Sequence, residues 1–290
     1  MVKRQPALPP RARSKVVAVA TLGEVRPARP FIKWVGGKRQ LLAEISKRLP
    51  SSYGRYHEPF IGGGALFFHL HPKRAFISDR NERLIRAYKG IQSHVEDVIK
   101  LLKSYKNVKE FFLSLRKKDI DASTDAEVAA WLIFLNKTGF NGLYRVNSRN
   151  QFNVPYGSNP RALICDEANL RRCAKALEKT SIHDEDFSAV LRRAKTGDLV
   201  YFDPPYVPVS DTAYFTSYTS GKFGPADQAR LRDVAIELKK HGIFVILSNS
   251  SAPLVKELYS PKFTCIPVKA TRVVNSKASG RGQVTELLIF

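Results

Sequence analysis

The sequence predicts a doubly wound α/β sheet that is interrupted by a mainly helical insertion. The first observation is a strand, glycine turn, helix, strand and acid unit between Tyr56 and Asp79. The second is helical patterning from Glu82 to about Thr138, with no strand in between. The third is the return of sheet-forming segments from Thr180 to Phe290. One sheet can hold both groups of strands if the middle of the chain is an insertion.

The elements before the insertion follow from apolar spacing and from residues that end helices and strands. A helix is predicted over Lys38–Leu49, because its leucines and Ile45 share one face and Pro50 follows. The next predicted elements are a strand at Tyr56–Phe60, a turn at Gly62–Gly64, a helix from about Ala65 and a strand at Arg74–Ser78, ended by Asp79.

The insertion is expected to span residues 86–172, and the sheet domain residues 31–85 and 173–290. Its first helical set contains Leu84, Ile85, Tyr88, Ile91, Val95, Val98 and Leu101. A polar turn at Asn147–Asn150 separates two short apolar segments, 143–146 and 151–154, which predicts a β-hairpin.

Five strand segments are predicted after the insertion, at 180–183, 198–202, 243–248, 263–268 and 284–290. The second runs into DLVYFDPPYVP at 198–208, where an apolar run meets Asp203, two prolines and Tyr206. Prolines cannot donate to a sheet ladder, so the chain must leave the sheet here with its carbonyls held in set directions. Because open α/β sheets bind ligands at the carboxyl ends of their strands, this stretch is a candidate site.

Charge indicates an anionic partner. Lysine and arginine total 48 against 26 acids, a formal net charge of +22. Nucleic acid is favoured over a membrane, since no apolar run approaches the ~20 residues that span a bilayer. Residues 1–30 are basic and proline-containing, and we expect them to form a flexible extension, which either attracts phosphate or is inert.

Cysteine and histidine usage supports neither a disulfide framework nor a metal site. Cys165, Cys173 and Cys265 are an odd number without a CxxC pair, and the six histidines are scattered. We therefore assign no metal and expect a reduced, cytoplasmic protein.

Two motifs carry candidate chemistry. The turn EPFIGGGALFF lacks the third glycine of a dinucleotide fingerprint, having Phe67 there. Gly62 and Gly64 still permit close approach of backbone to a ligand, and Asp79 can accept hydrogen bonds from ribose hydroxyls; the alternative is a tight turn beside an unrelated Asp.

The DPPY tetrad suits a conjugated amino group, such as that of adenine, whose lone pair is a poor nucleophile. Asp203 and the Pro204 carbonyl can accept its two hydrogens, which draws the nitrogen toward tetrahedral geometry. Tyr206 offers a ring face on which an extruded base can stack.

These motifs resemble those of Dam-type DNA adenine methyltransferases (D12 class, alpha group). The matching stretches, in the family's order, are FIKWVGGK at 31–38, EPFIGGG at 58–64, ISDRN at 77–81, NKTGFNGLYRVNSRNQFNVPYG at 136–157, DPPY at 203–206 and FTSY at 215–218. The tetrad alone is moderately specific, whereas the long middle stretch has no simple compositional explanation. The resemblance implies a Rossmann-like methyltransferase sheet, S-adenosylmethionine as methyl donor and double-stranded DNA as partner, with 86–172 as the target-recognition domain.

The resemblance also implies roles for single residues. Trp34, Lys38, Gly62, Gly64, Asp79 and Asp203 match positions that bind the cofactor, and Asp203, Pro204 and Tyr206 match the catalytic tetrad. Core packing remains open for Trp34, and a solvated helix start for Lys38.

The DNA-binding positions implied are Phe140, Asn141, Leu143, Arg145 and Pro155. Arg145 is the candidate guanine reader, because arginine makes bidentate contacts with the major-groove edge of guanine. Phe140 resembles a wedge and Asn141 a backbone contact, but both residues can equally hold the hairpin. Lys137 and Arg149 are candidate phosphate contacts, with a solvated surface as the alternative.

The reading is therefore an adenine-N6 DNA methyltransferase, with GATC as the leading recognition site and a separate restriction endonuclease as a candidate partner. Two rivals remain open: a methyltransferase of RNA or of cytosine-N4, and an inactive DNA-binding protein on the same fold.

Overall fold

The structure of the protein, a computed structural model, describes residues 26–207, 223–272 and 282–290. Most of the predicted N-terminal extension and the FTSY stretch at 215–218 lie outside the described residues. Ala28 and Arg29, which the sequence assigns to the extension, are packed: Ala28 is buried, and the Arg29 backbone exchanges two hydrogen bonds with the Asn169 amide. Residues 28 and 29 are therefore part of the packed fold.

Within the described residues, seven strands form one sheet. They are β1 (Tyr56–Glu58), β2 (Ala75–Asp79), β3 (Thr180–Asp184), β4 (Leu199–Phe202), β5 (Phe244–Ser250), β6 (Cys265–Arg272) and β7 (Gly282–Ile289). Their order is β3-β2-β1-β4-β5-β7-β6. Strands β1 to β5 pair in parallel, and β7 runs antiparallel between β5 and β6. This sheet confirms the predicted doubly wound α/β class.

The helices of the described residues lie between these strands and in the insertion. They are α1 (Leu42–Ser46), α2 (Ala65–Leu70), α3 (Glu82–Ser93), α4 (Val95–Ser104), α5 (Lys109–Lys117), α6 (Asp125–Thr138), α7 (Glu167–Leu177), α8 (Val190–Arg193), α9 (Pro225–Lys240) and α10 (Pro253–Tyr259). Helix α1 begins four residues later than predicted, because the chain from Trp34 to Leu41 turns instead, with hydrogen bonds from Gly37 N to Trp34 O and from Leu41 N to Lys38 O.

Helix α6 is the centre of the helical part. A capping box between Thr124 and Glu127 starts it, and nearly all its residues are buried, including Trp131 and Asn136. A helix that is buried on all sides must be covered by neighbours, and α3, α4 and α5 pack against it.

The helical part shares its core with the sheet. Residues of α6 belong to the same buried cluster as Tyr56 and Ile77 of the sheet. Both expected boundaries of the insertion fall inside helices, the first in α3 and the second in α7. The insertion is therefore an extension of one continuous core.

The predicted β-hairpin is irregular. Instead of one continuous ladder between two strands, isolated bridges join Val146 to Phe152 and Gly139 to Tyr156. The turn closes through the Asn147 side chain, whose oxygen accepts from the backbone N–H groups of Arg149 and Gln151. Backbone bonds from Asn147 N to Gln151 O and from Asn153 N to Arg145 O still join the two arms, so they pair without forming regular strands.

Candidate active site and recognition hairpin

The DPPY tetrad leaves the sheet at the carboxyl end of β4, between β1 and β5. Asp203 follows this fully buried strand directly, and its Oδ1 lies 2.9 Å from the Lys38 Nζ and 3.1 Å from the Ser248 Oγ. The Ser248 hydroxyl in turn pairs with the Tyr201 hydroxyl at 2.9 Å. Lys38 and Ser248 therefore hold this carboxylate at the rim of the sheet, and Tyr201 supports Ser248.

Lys38 enters the site because the KWVGGK segment is a turn. Its side chain is 5% exposed, and its ammonium also donates to the carbonyl of Gly36, whose φ is +81°. Burial raises the pKa of Asp203, whereas the nearby Lys38 charge and the Ser248 hydroxyl act in the opposite direction. The pair consists of a carboxylate and an ammonium that compensate each other's burial.

The rest of the tetrad is fixed by a second set of side chains. The Pro205 carbonyl accepts from Gln228 Nε2 at 3.0 Å, and Asn249 Nδ2 donates to Gln228 Oε1 at 3.0 Å. Gln228 and Asn249 are both buried. The turn after Asp203 is thus locked from α9 and β5, which suits a site that must hold the Pro204 carbonyl in one direction.

Tyr206 lies between a cation and a carboxylate. The Lys38 Nζ is 4.5 Å from the centroid of its ring, and its hydroxyl donates to Glu286 Oε2 at 2.6 Å. Burial raises the pKa of Tyr206 far above its ordinary value, so the phenol stays protonated and keeps donating.

The glycine turn lies next to the tetrad, after β1. Gly62 and Gly64 have φ angles of +47° and +67°, and a Cβ at Gly62 would come within 2.7 Å of Trp34 Cδ1. Trp34 therefore covers the turn directly. The Tyr88 hydroxyl donates to the Gly62 carbonyl at 3.1 Å, which fixes the turn from α3.

Asp79 ends β2 beside this turn. Its carboxylate accepts from Gly62 N at 3.2 Å and from Asn81 N at 3.0 Å. Burial raises the pKa of Asp79 to about 6, and the backbone donors oppose that shift. Each oxygen accepts one of these two bonds and has further acceptor capacity, which is the property expected of a ribose-binding carboxylate.

Glu58 is a site residue that the sequence reasoning missed. It is 3% exposed at the end of β1, and the Tyr56 hydroxyl donates to its Oε2 at 2.7 Å. Burial raises its pKa to about 8, and the charge of Asp203 acts in the same direction. A glutamate inside a strand that is otherwise buried was the available signal. Glu58 and Asp79 thus end strands β1 and β2, and Asp203 follows the neighbouring strand β4.

The structure brings the predicted DNA-binding residues together on the irregular hairpin. Phe140 is 49% exposed, and its N–H donates to the carbonyl of exposed Pro155 at 2.9 Å. Asn141 has a φ of +56°. Leu143 is partly buried and packs against the core. An exposed aromatic beside an exposed proline forms an apolar edge on this surface.

Arg145 is exposed and held across the hairpin. Its Nε donates to Asn153 Oδ1 at 2.6 Å, and a terminal nitrogen donates to the Asn153 carbonyl at 3.2 Å. Arg149 is also exposed, whereas Lys137 is partly buried, and burial lowers its pKa. Lys137 is therefore less accessible to a phosphate group than Arg149 is.

The hairpin is tied to the turn that carries Trp34. The amide of buried Asn136 accepts from Lys33 N at 2.8 Å and donates to Lys33 O at 3.0 Å and Gly142 O at 2.7 Å. The rings of Trp34 and Tyr144 stack at 5.4 Å with an interplanar angle of 23°. Asn136 and Tyr144 are further residues that sequence reasoning did not single out.

The described ranges contain no candidate metal site and no candidate membrane-spanning helix. No group of three or more His, Cys, Asp or Glu side chains there is placed to hold a metal ion. No helix among residues 26–207, 223–272 and 282–290 has the length and apolarity to cross a membrane.

Comparisons with known proteins show the family of this chain. Residues 34–274 match the family model for the D12 class N6 adenine-specific DNA methyltransferase. The type II methyltransferase M1.LlaDCHI of Lactococcus lactis subsp. cremoris is 46% identical over 269 residues, covering 90% of this chain and 94% of the relative. M.MjaIII, a type II methyltransferase of Methanocaldococcus jannaschii, is 39% identical over 285 residues, with coverage of 90% and 98%. A DNA adenine methylase of Vibrio cholerae is 33% identical over 270 residues, with coverage of 91% and 96%. The chain therefore belongs to the D12 class of N6 adenine-specific DNA methyltransferases.

Proposed function

We propose that this adenine-specific DNA methyltransferase extrudes its target adenine from duplex DNA and holds the amino group against Asp203 and the Pro204 carbonyl. The observation that carries the proposal is the locked tetrad: a carboxylate held by Lys38 and Ser248, followed by a turn held by Gln228. An amino group inside a base-paired stack cannot reach such a rim, so the base has to leave the duplex.

The cofactor proposed is S-adenosylmethionine, and the donor set fits it. The carboxyl group of Asp79, at the end of β2, offers acceptors to ribose hydroxyls, and the carboxylate of Asp203, after β4, offers negative charge to a sulfonium. The residues proposed to hold it are Trp34, Lys38, Gly62, Gly64, Asp79 and Asp203. When bound, this cofactor supplies an electrophilic methyl group.

The protein's own part is alignment and electrostatics. Asp203 and Pro204 accept the two amine hydrogens, and Tyr206 presents a ring face to the base. Asp203 then polarises the amine, whose proton is lost after transfer; a full general base is not required.

For recognition, we propose GATC as the site, read by the hairpin. Arg145 contacts guanine, Leu143 and Pro155 contact base edges, and Phe140 wedges between bases, with Asn141 at the backbone. The exposure of Arg145 and Phe140 supports these roles. Because two relatives carry the name type II methyltransferase, a separate cognate restriction endonuclease is the proposed partner.

Family membership favours adenine in DNA over the RNA and cytosine-N4 alternatives. The inactive alternative is disfavoured by the paired Asp203 and the intact glycine turn.

The test is transfer of a labelled methyl group from the cofactor to a plasmid, followed by digestion to nucleosides. Label in N6-methyladenine supports the proposal. Asp203→Ala should abolish transfer while the fold and most DNA affinity remain, and retained turnover in that variant contradicts the assignment. A methylated plasmid that stays open to a nuclease blocked by adenine methylation in GATC excludes that site.

A further inference from the structure

Glu286 contacts Tyr206 of the tetrad from β7, which lies two strands away from β4 in the sheet. It lies on β7, opposite Ser250 of β5 and Val268 of β6, and is partly buried. None of the sequence motifs includes it. Its carboxylate nevertheless accepts the Tyr206 hydroxyl at 2.6 Å, a short bond typical of a neutral donor and a charged acceptor.

We propose that Glu286 is a positioning residue for the target base, because it fixes the ring of Tyr206 on which the extruded adenine stacks. The inference rests on the proposed function, since it deepens the role of Tyr206 in that same site.

The ring of a tyrosine side chain is free to rotate unless its surroundings restrain it. Two side-chain torsions set the ring plane, and a surface for stacking has to hold that plane before the base arrives. The Lys38 ammonium contacts the ring face at 4.5 Å, which restrains its position but not the direction of its hydroxyl. The bond to Glu286 restrains the hydroxyl end of the ring and so fixes its direction.

The strand register makes the restraint rigid. Residues 286–289 of β7 pair with 247–250 of β5, and Ser248 on β5 donates to Asp203. Asp203 is thus bonded to a β5 side chain and Tyr206 to a β7 side chain, and the pairing of β5 with β7 fixes these two anchors relative to each other. Loss of the Glu286 bond should free the ring while leaving Asp203 in place.

The experiment uses the full chain and a duplex with one target site, in single-turnover methylation. Glu286→Leu and Tyr206→Phe should each lower the rate about 10-fold, the usual effect of losing one charge-assisted hydrogen bond. Glu286→Gln should restore most of the rate, since its amide oxygen still accepts. The double variant should be no slower than the slower single variant, because both changes remove the same contact.

A second readout separates positioning from general damage. With 2-aminopurine at the target position, the fluorescence change on binding should shrink in Glu286→Leu and Tyr206→Phe, while the dissociation constants for cofactor and duplex stay within about 3-fold. Thr285→Ala, at an exposed neighbour on the same strand, is the matched control and should behave as the native chain. Should the leucine variant fail to fold, Tyr206→Phe and Glu286→Gln decide the question, because neither disturbs the strand.

Native rates in Tyr206→Phe or in a folded Glu286→Leu would overturn the inference, as would losses that add in the double variant. Absence of transfer by the native chain would instead refute the proposed function itself, and this inference with it.

Discussion

The buried carboxyl of Glu58 makes a quantitative prediction about stability and pH. Burial raises its pKa from 4.5 to about 8, so between these values the folded chain keeps a proton that the unfolded chain has released. The free energy of unfolding therefore falls as pH rises through this window. Each pKa unit corresponds to about 1.4 kcal/mol, so the penalty approaches about 5 kcal/mol above pH 8.

Glu58→Gln replaces the carboxyl group by a neutral side chain of the same shape and abolishes the penalty. The variant should gain stability over the native chain, and that gain should grow by about 3 kcal/mol between pH 5.5 and pH 8.5. This is a large share of the ~5–15 kcal/mol that stabilises a typical domain.

Urea unfolding of both proteins across that pH range measures the difference directly, because titrations common to both proteins cancel. Glu257→Gln, at an exposed glutamate of α10, is the matched control and should show no such growth. A stability difference that stays constant with pH would refute the reasoning, since it would mean that Glu58 is ionised in the folded chain.

Three further predictions concern the glycine turn, the Asn136 amide that ties the Trp34 turn to the hairpin, and the proposed guanine reader Arg145. Gly64→Ala should cost about 2 to 4 kcal/mol in urea unfolding, because φ is +67° and the added Cβ would lie 2.6 Å from the Tyr88 hydroxyl; a loss below 1 kcal/mol would show that the turn adapts. Asn136→Ala should cost about 3 kcal/mol by leaving the backbone groups it pairs unsatisfied, and an unchanged urea midpoint would contradict this. Arg145→Ala should relax discrimination at one base pair by about 1 to 3 kcal/mol, measured as relative methylation rates on single-substitution duplexes; an unchanged preference removes Arg145 from the readers.

The sheet was predictable because buried parallel strands leave plain signals. Each of the seven strand segments predicted for the sheet corresponds to an observed strand, with ends shifted by a few residues. Strand β1 stops at Glu58 rather than Phe60, since Pro59 cannot extend a ladder. The start of α1 and the irregular hairpin were missed, because both depend on side chains that bond to nearby backbone rather than on apolar periodicity.

The candidate site was predictable where motifs carried it. Asp203, Lys38 and Tyr206 come from separate stretches of sequence, and the structure places them in contact. Glu286 lies in no motif, and Asn136 opens a matching stretch without a role assigned to it, because the bonds to Tyr206 and Lys33 depend on the strand register and on helix packing. The roles of all these residues in cofactor and DNA binding stay predictions.

The stack of Trp34 on Tyr144 links the hairpin to the glycine turn through one pair of rings. Tyr144 lies between Leu143 and Arg145, whereas Trp34 covers the glycine turn. If the hairpin reads DNA as proposed, a substitution that changes base-pair preference by shifting the hairpin backbone should also move Trp34 over the glycine turn. Engineering a new target sequence here therefore calls for changes to side-chain tips that leave the hairpin backbone in place, with methyl-donor affinity measured alongside sequence preference.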